Sequence, residues 1–152
     1  MKKKLDVAIV GCGAVAEYYH LPVLQRMPEY NIKYLVDLSK DRAESIKKRF
    51  RMSSKTETKF EKVLSDDQLD AVMILTPPTL HKDQIFLAAE AKKAIFCEKP
   101  LSMTVNEALE IVDICKKSNV PILPGYQMRF DGKYSKIKKL LEKKMFGELI
   151  GG

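Results

Sequence analysis

No run of about 18 apolar residues occurs in this 152-residue chain, so no membrane-spanning helix is expected. Cysteine is sparse. Cys12, Cys97 and Cys115 are odd in number, scattered, and without the paired spacings that hold a metal. They read as reduced thiols of a cytoplasmic protein rather than as a disulfide framework, and no metal is expected. Histidine is sparser still, with only His20 and His81. No low-complexity linker and no internal repeat breaks the chain, which argues one domain over most of its length. What is present is 45% apolar content, enough at this length to bury roughly 70% of the unfolded surface. That excludes global disorder.

The net charge is +7, and much of it comes from 133–144, where six lysines face one glutamate. Ile137, Leu140 and Leu141 make a narrow apolar stripe in this segment, and the lysines occupy the remaining face. Without interleaved aromatics or a known DNA-reading motif, this is a solvated face rather than a nucleic-acid surface. The N-terminal MKKK before an apolar stretch has the look of a secretory signal. Asp6 falls inside what would be its apolar region, and a signal has no use for the glycines that follow.

Those glycines lie in Leu5–Glu17, LDVAIVGCGAVAE. Val7, Ala8, Ile9 and Val10 form a short apolar run, as in a strand covered on both faces. Gly11, Gly13 and Ala16 follow in G-x-G-x-x-A spacing. Gly11 permits a tight turn, Gly13 lets a pyrophosphate approach bare backbone, and Ala16 lets the next helix pack close to the strand. The free N–H groups and dipole of that helix start form an anion site. Asn31–Asp37 reads as the next strand and ends in an acid. Asp37 can accept both hydroxyls of an adenosine ribose and repel a 2′-phosphate, which favours NAD over NADP. Lys40 and Arg42 lie close enough to soften that preference, so NADP is possible. The plainer role for Asp37 is to cap the following helix.

Strands and helices alternate to the end, which predicts a doubly wound parallel α/β sheet with strand order 3-2-1-4-5-6. The first helix is expected over Ala14–Met27, kinked or split at Pro22. Further helices are expected at Asp41–Phe50, Thr58–Leu64 and Thr79–Lys92. Strands are expected at 52–56, Ala71–Leu75, Ala94–Cys97 and Val120–Leu123. Ser102 or Thr104 caps a later helix, with Glu107 completing a capping box after Thr104. In that helix Val105, Ala108, Leu109, Val112 and Cys115 recur at helical spacing and are expected to face the core. Met27, Met73 and Met103 read as core filler. Polar signatures fall at the carboxyl ends of five predicted strands, the edge where open parallel sheets bind ligands.

With GCGAVAE at 11–17, LVD at 35–37, LDAVMILTPPTLH at 69–81, EKP at 98–100 and GYQMRF at 125–130, the chain resembles the N-terminal domain of the Gfo/Idh/MocA family of NAD(P)-dependent oxidoreductases. The resemblance implies a Rossmann domain over 1–130. It implies that 131–152 form a connecting helix and the start of a C-terminal α+β domain for substrate and oligomerisation. It places Gly11, Cys12, Gly13, Ala14 and Val15 around the pyrophosphate, and Asp37, Leu38 and Ser39 at the adenosine ribose. Thr76, Pro77, Pro78 and His81 would flank the dinucleotide, and Glu98 and Lys99 would lie by the nicotinamide. Gln127 and Arg129 would border the substrate cleft. Lys99 would be catalytic, its ammonium stabilising charge that develops on the substrate oxygen. Read without the resemblance, His81 is a polar helix start, Lys99 a surface loop lysine and Arg129 a salt-bridge partner. The implied reaction moves hydride between NAD(P) and a sugar, polyol or related alcohol or carbonyl. The family's acid/base histidine lies in the second domain and has no counterpart among these residues. The isolated chain is therefore expected to bind cofactor without efficient turnover, and the full-length protein to form homo-oligomers. A non-catalytic NAD(H)-binding sensor is the alternative.

Overall fold

The sheet that carries the molecule is six-stranded and parallel, in the order β3-β2-β1-β4-β5-β6. The structure, a computed structural model, describes residues 4–148 and 151. Met1–Lys3 of the basic start, and Leu149, Ile150 and Gly152 of the expected second-domain boundary, lie outside the described residues.

The strands are β1 (Leu5–Val10), β2 (Tyr30–Val36), β3 (Lys55–Glu57), β4 (Ala71–Ile74), β5 (Ala94–Cys97) and β6 (Ile122–Pro124). β1 pairs with both β2 and β4, so the chain winds outward to β3 and then restarts on the far side of β1. Each central strand buries alternate residues in two different cores. Ala8 and Val10 of β1 face one core and Ile9 the other, which is why these strands read as unbroken apolar runs.

One core is closed by α3 (Phe60–Leu64), α4 (His81–Glu90) and α5 (Val105–Ser118), through Val63, Ile85, Ala88 and Ile111. The other is closed by α1 (Leu21–Leu24) and α2 (Lys40–Arg49), through Leu21, Leu24, Ala43 and Ile46. The last helix, α6 (Gly132–Glu142), contains no buried residue. Its Ile137 and Leu141 remain 49% and 37% exposed, so the apolar stripe read there is unpacked among the described residues.

Several boundaries and faces differ from the expectation. The first helical run is π-helical over Ala16–His20 and ends at Leu24, short of Met27. Pro22 is the cause. It has no N–H for the Tyr18 carbonyl, and the turn before it widens, so the Leu21 N–H reaches back five residues to the Ala16 carbonyl. β3 is shifted to Lys55–Glu57 and β6 to Ile122–Pro124, where edge pairing sets the limits. α4 is preceded by a 3-10 turn, Pro78–Leu80, because Pro77 and Pro78 cannot donate into a regular first turn.

α5 buries only part of the expected face. Cys115 is buried as expected and Ala108 is half-buried, but Ile111 is buried in place of Val105, Leu109 and Val112, which are exposed. Two adjacent apolar stripes run along this helix, and periodicity alone cannot choose between them. Its Thr104 cap is present: the Thr104 hydroxyl accepts the Glu107 N–H at 3.2 Å, and Glu107 in return accepts the Met103 N–H at 2.9 Å. Met27 and Met103 are surface residues, 37% and 58% exposed, rather than core filler.

Candidate functional site

Loops from the carboxyl ends of β1, β2, β4, β5 and β6 gather over one edge of the sheet. Gly11 makes the first turn possible. Its φ is +96°, and a Cβ there would sit 2.9 Å from the backbone C and O of Leu75. Gly13 differs. A Cβ there would meet nothing within 4 Å. The fold itself therefore does not require a glycine at this position, and the bare backbone there is open. Ala16, fully buried, brings the helical run against the sheet.

Asp37 closes β2 and is 7% exposed. One carboxylate oxygen accepts the Cys12 N–H at 2.9 Å and the other accepts the Ser39 N–H at 2.9 Å. Arg42 donates to both oxygens at 3.2 and 3.3 Å. The acid that sequence reading assigned to ribose thus also ties the glycine turn to the start of α2, where the Ser39 hydroxyl caps the Arg42 N–H. Cys12 is packed below the turn, with its thiol against the Val36 carbonyl. Burial, then the Asp37 charge, pushes that thiol up to about 12, so it carries no reactive thiolate near neutral pH.

Two grooves meet at the sheet edge. The larger is about 980 Å³ and runs from the Asp37 side across Gly13 to Lys99. It lies near the top of the range for small-molecule sites, roughly 300–1,000 Å³, which suits an extended ligand. Gly11, Gly13, Ala14, Val15, Asp37, Leu38, Thr76, Pro77, Pro78, Glu98 and Lys99 line it, as does Arg42. It is also lined by Thr58 and Lys59 of the β3–α3 loop and by Phe60 and Glu61 at the start of α3, which no sequence motif marked. The smaller groove, about 570 Å³, shares Val15, Glu98 and Lys99 and adds Gln127, Tyr126, Phe130 and His20.

Four expected site residues line neither groove: Cys12, Ser39, His81 and Arg129. Cys12 and Ser39 act on Asp37 through their N–H groups. Arg129 is exposed on the 3-10 turn after β6. His81 is fully buried beneath the loops, its Nδ1 2.9 Å from the Pro100 carbonyl and its Nε2 2.8 Å from the Thr76 carbonyl. It therefore sits beneath the loops and lines neither groove.

Glu98 and Lys99 stand where the grooves join. The Lys99 N–H donates to Glu98 Oε2 at 2.9 Å, and Glu98 Oε1 lies 2.8 Å from His20 Nε2. His20 escaped sequence reading; its only signal there was being one of two histidines. Among the described residues, no group of three or more His, Cys, Asp or Glu side chains is arranged to hold a metal ion, and no helix is long and apolar enough to cross a membrane.

Comparisons with known proteins agree with this geometry. The model of the GFO_IDH_MocA oxidoreductase family, NAD-binding Rossmann fold, matches residues 5–126. The scyllo-inositol 2-dehydrogenase (NAD(+)) of Bacillus subtilis is 31% identical over 150 residues, which is 99% of this chain and 44% of that protein. A 3-ketoreductase from Actinomadura kijaniata, solved with NADP, shares the fold at a TM-score of 0.86 and 23% identity over 96% of this chain and 46% of that one. A scyllo-inositol dehydrogenase from Lactobacillus casei, solved with NAD(H) and scyllo-inositol, gives 0.86 and 22% over 96% and 43%. The chain spans less than half the length of the curated relatives it matches.

Proposed function

Since the chain belongs to the Gfo/Idh/MocA oxidoreductase family and forms its NAD-binding Rossmann domain, we propose that it holds a nicotinamide dinucleotide along the larger groove. It does so for hydride exchange with a sugar, polyol or related alcohol or carbonyl. The observation that carries this is Gly13, open on its flank, lining one continuous groove together with Asp37 and Lys99.

The pyrophosphate lies on the backbone of Gly11, Gly13, Ala14 and Val15; the Gly11 N–H is already given to the Val36 carbonyl at 2.8 Å, so the N–H groups offered to it are those of Gly13, Ala14 and Val15 at the helix start. Thr76, Pro77 and Pro78 flank the dinucleotide. Asp37, with Leu38 and Ser39 beside it, takes the ribose diol. A carboxylate offers about four acceptor positions, and two are already filled by backbone N–H groups. The diol therefore displaces Arg42, whose side chain is 58% exposed and free to swing. With Arg42 in place, its positive charge faces a 2′-phosphate instead, so NADP is the second-choice cofactor.

The nicotinamide, when bound, accepts or supplies hydride. Glu98 and Lys99 stand at that end, and the Lys99 ammonium stabilises negative charge on the substrate oxygen. Gln127 borders the smaller groove on the substrate side. The 152 residues bind cofactor without efficient turnover. The whole protein, acting in the cytoplasm, supplies the acid/base from a second domain and assembles into homo-oligomers.

Calorimetric titration of NADH and NADPH against wild type and Asp37→Ala tests this reading. NADH is expected to bind more tightly than NADPH, and Asp37→Ala to weaken NADH about tenfold, the worth of charge-assisted hydrogen bonds to a diol. A wild-type chain that binds neither nucleotide refutes the reading. Tighter binding of NADPH refutes the preference.

A further inference from the structure

We infer that His20 is a positioning residue: through Glu98 it holds the Glu98–Lys99 segment in register with the nicotinamide half of the cofactor. The inference rests on the cofactor reading above.

It begins with Pro22. The widened turn that Pro22 forces, Ala16–His20, is the one π-helical stretch among the described residues. Single π-helical turns of this kind recur at functional sites. Here the turn brings His20 to the sheet edge. Its ring meets Phe96 of β5 edge-on, with centroids 5.3 Å apart and planes at 69°. The carboxylate of Glu98 only accepts, so His20 Nε2 carries the proton of the 2.8 Å contact.

Glu98 is thereby held at both oxygens, by His20 at one and by the Lys99 N–H at the other. From another element, His81 Nδ1 lies 2.9 Å from the Pro100 carbonyl. The chain's two histidines thus both contact one tripeptide, Glu98–Lys99–Pro100, from two different elements. The ammonium of Lys99 has no hydrogen bond or ion pair among the described residues, and its side chain is exposed at the groove junction. The backbone is fixed and the reactive end is free, which is the arrangement a positioned donor needs.

A simple tie between helix and sheet would also explain a His–Glu pair. This pair is instead partly open, with side chains 18% and 17% exposed, and both partners face the smaller groove.

Two measurements on the 152-residue chain separate these readings, using wild type, His20→Ala and His20→Gln. The first is amide hydrogen exchange at Lys99 by NMR, without nucleotide. Losing one anchoring hydrogen bond is expected to speed exchange about fivefold in His20→Ala. His20→Gln, whose amide can still donate to Glu98, stays near wild type. Unchanged exchange in His20→Ala overturns the inference whether or not nucleotides bind.

The second is titration with NADH and with ADP-ribose, which lacks the nicotinamide. His20→Ala is expected to weaken NADH about fivefold and leave ADP-ribose unchanged. Equal losses for both ligands indicate a merely structural tie and overturn the inference alone. A wild-type chain that binds neither ligand overturns the cofactor reading, and the nicotinamide role of His20 with it.

Discussion

Gly11 and Gly13 stand two residues apart in one turn, yet an alanine at each should fail in opposite ways. At Gly11 the backbone has a φ of +96°, and an added Cβ would lie 2.9 Å from Leu75 C and O and 3.0 Å from Thr76 N. Those neighbours are backbone atoms of the loop after β4, so no side chain can swing aside. A left-handed conformation costs an alanine about 1–2 kcal/mol. Overlap with packed backbone adds about 1–3 kcal/mol. Gly11→Ala should therefore lose roughly 3 kcal/mol, a large part of a typical stability of about 5–15 kcal/mol. For a chain of this size that is a fall in Tm of about 10 °C. Gly13 has nothing within 4 Å of its Cβ position and no left-handed φ. Gly13→Ala should leave Tm within about 2 °C of wild type, or raise it slightly by restricting the unfolded chain. Its added methyl occupies the space assigned to pyrophosphate, so NADH affinity should fall at least about tenfold. Thermal unfolding by circular dichroism and titration with NADH measure both quantities on both variants. A Gly11→Ala protein that melts within about 3 °C of wild type would refute the steric argument. A Gly13→Ala protein that binds NADH normally would refute the phosphate cradle.

Two further expectations concern stability. Ile111 is fully buried and Leu109, on the same helix, is 63% exposed; Ile111→Ala should cost about 3 kcal/mol in urea unfolding, and Leu109→Ala about 0.5 kcal/mol or less. Comparable losses would show that α5 packs through the other stripe. Asp66 is held down to about 2, first by the hydrogen bond from the Lys33 ammonium and then by the Gln68 N–H. A carboxyl depressed in the folded state adds stability that is complete above its unfolded value, near 3.8, and is lost as pH falls toward about 2. After allowance for solvent screening, that increment is about 1 kcal/mol. It should be absent from Asp66→Asn, and identical acid-side stability curves for the two proteins would exclude it.

Local chemistry marked much of this domain in the sequence. Both-face apolar runs announced the central strands, because a strand covered on two sides has no polar alternation to confuse it. The glycine turn announced itself because only glycine tolerates the φ found at Gly11, and only a residue without Cβ leaves Gly13 bare. The strand order 3-2-1-4-5-6 followed from alternation and crossover handedness, since few other arrangements connect such elements.

What stayed hidden was decided by contacts between residues distant in the chain. Both apolar stripes of α5 satisfy the helical period, and only the sheet beneath it selects Ile111 and Cys115 for burial. His81 sits in a motif read as flanking the ligand, and its ring lies buried between two carbonyls from separate loops. His20 carries no motif and lies 78 residues from Glu98. Sequence determined which strands and turns could form here. The tertiary structure decided which side chains those turns hold in place, because that depends on the distances at which separate loops come together over the sheet edge.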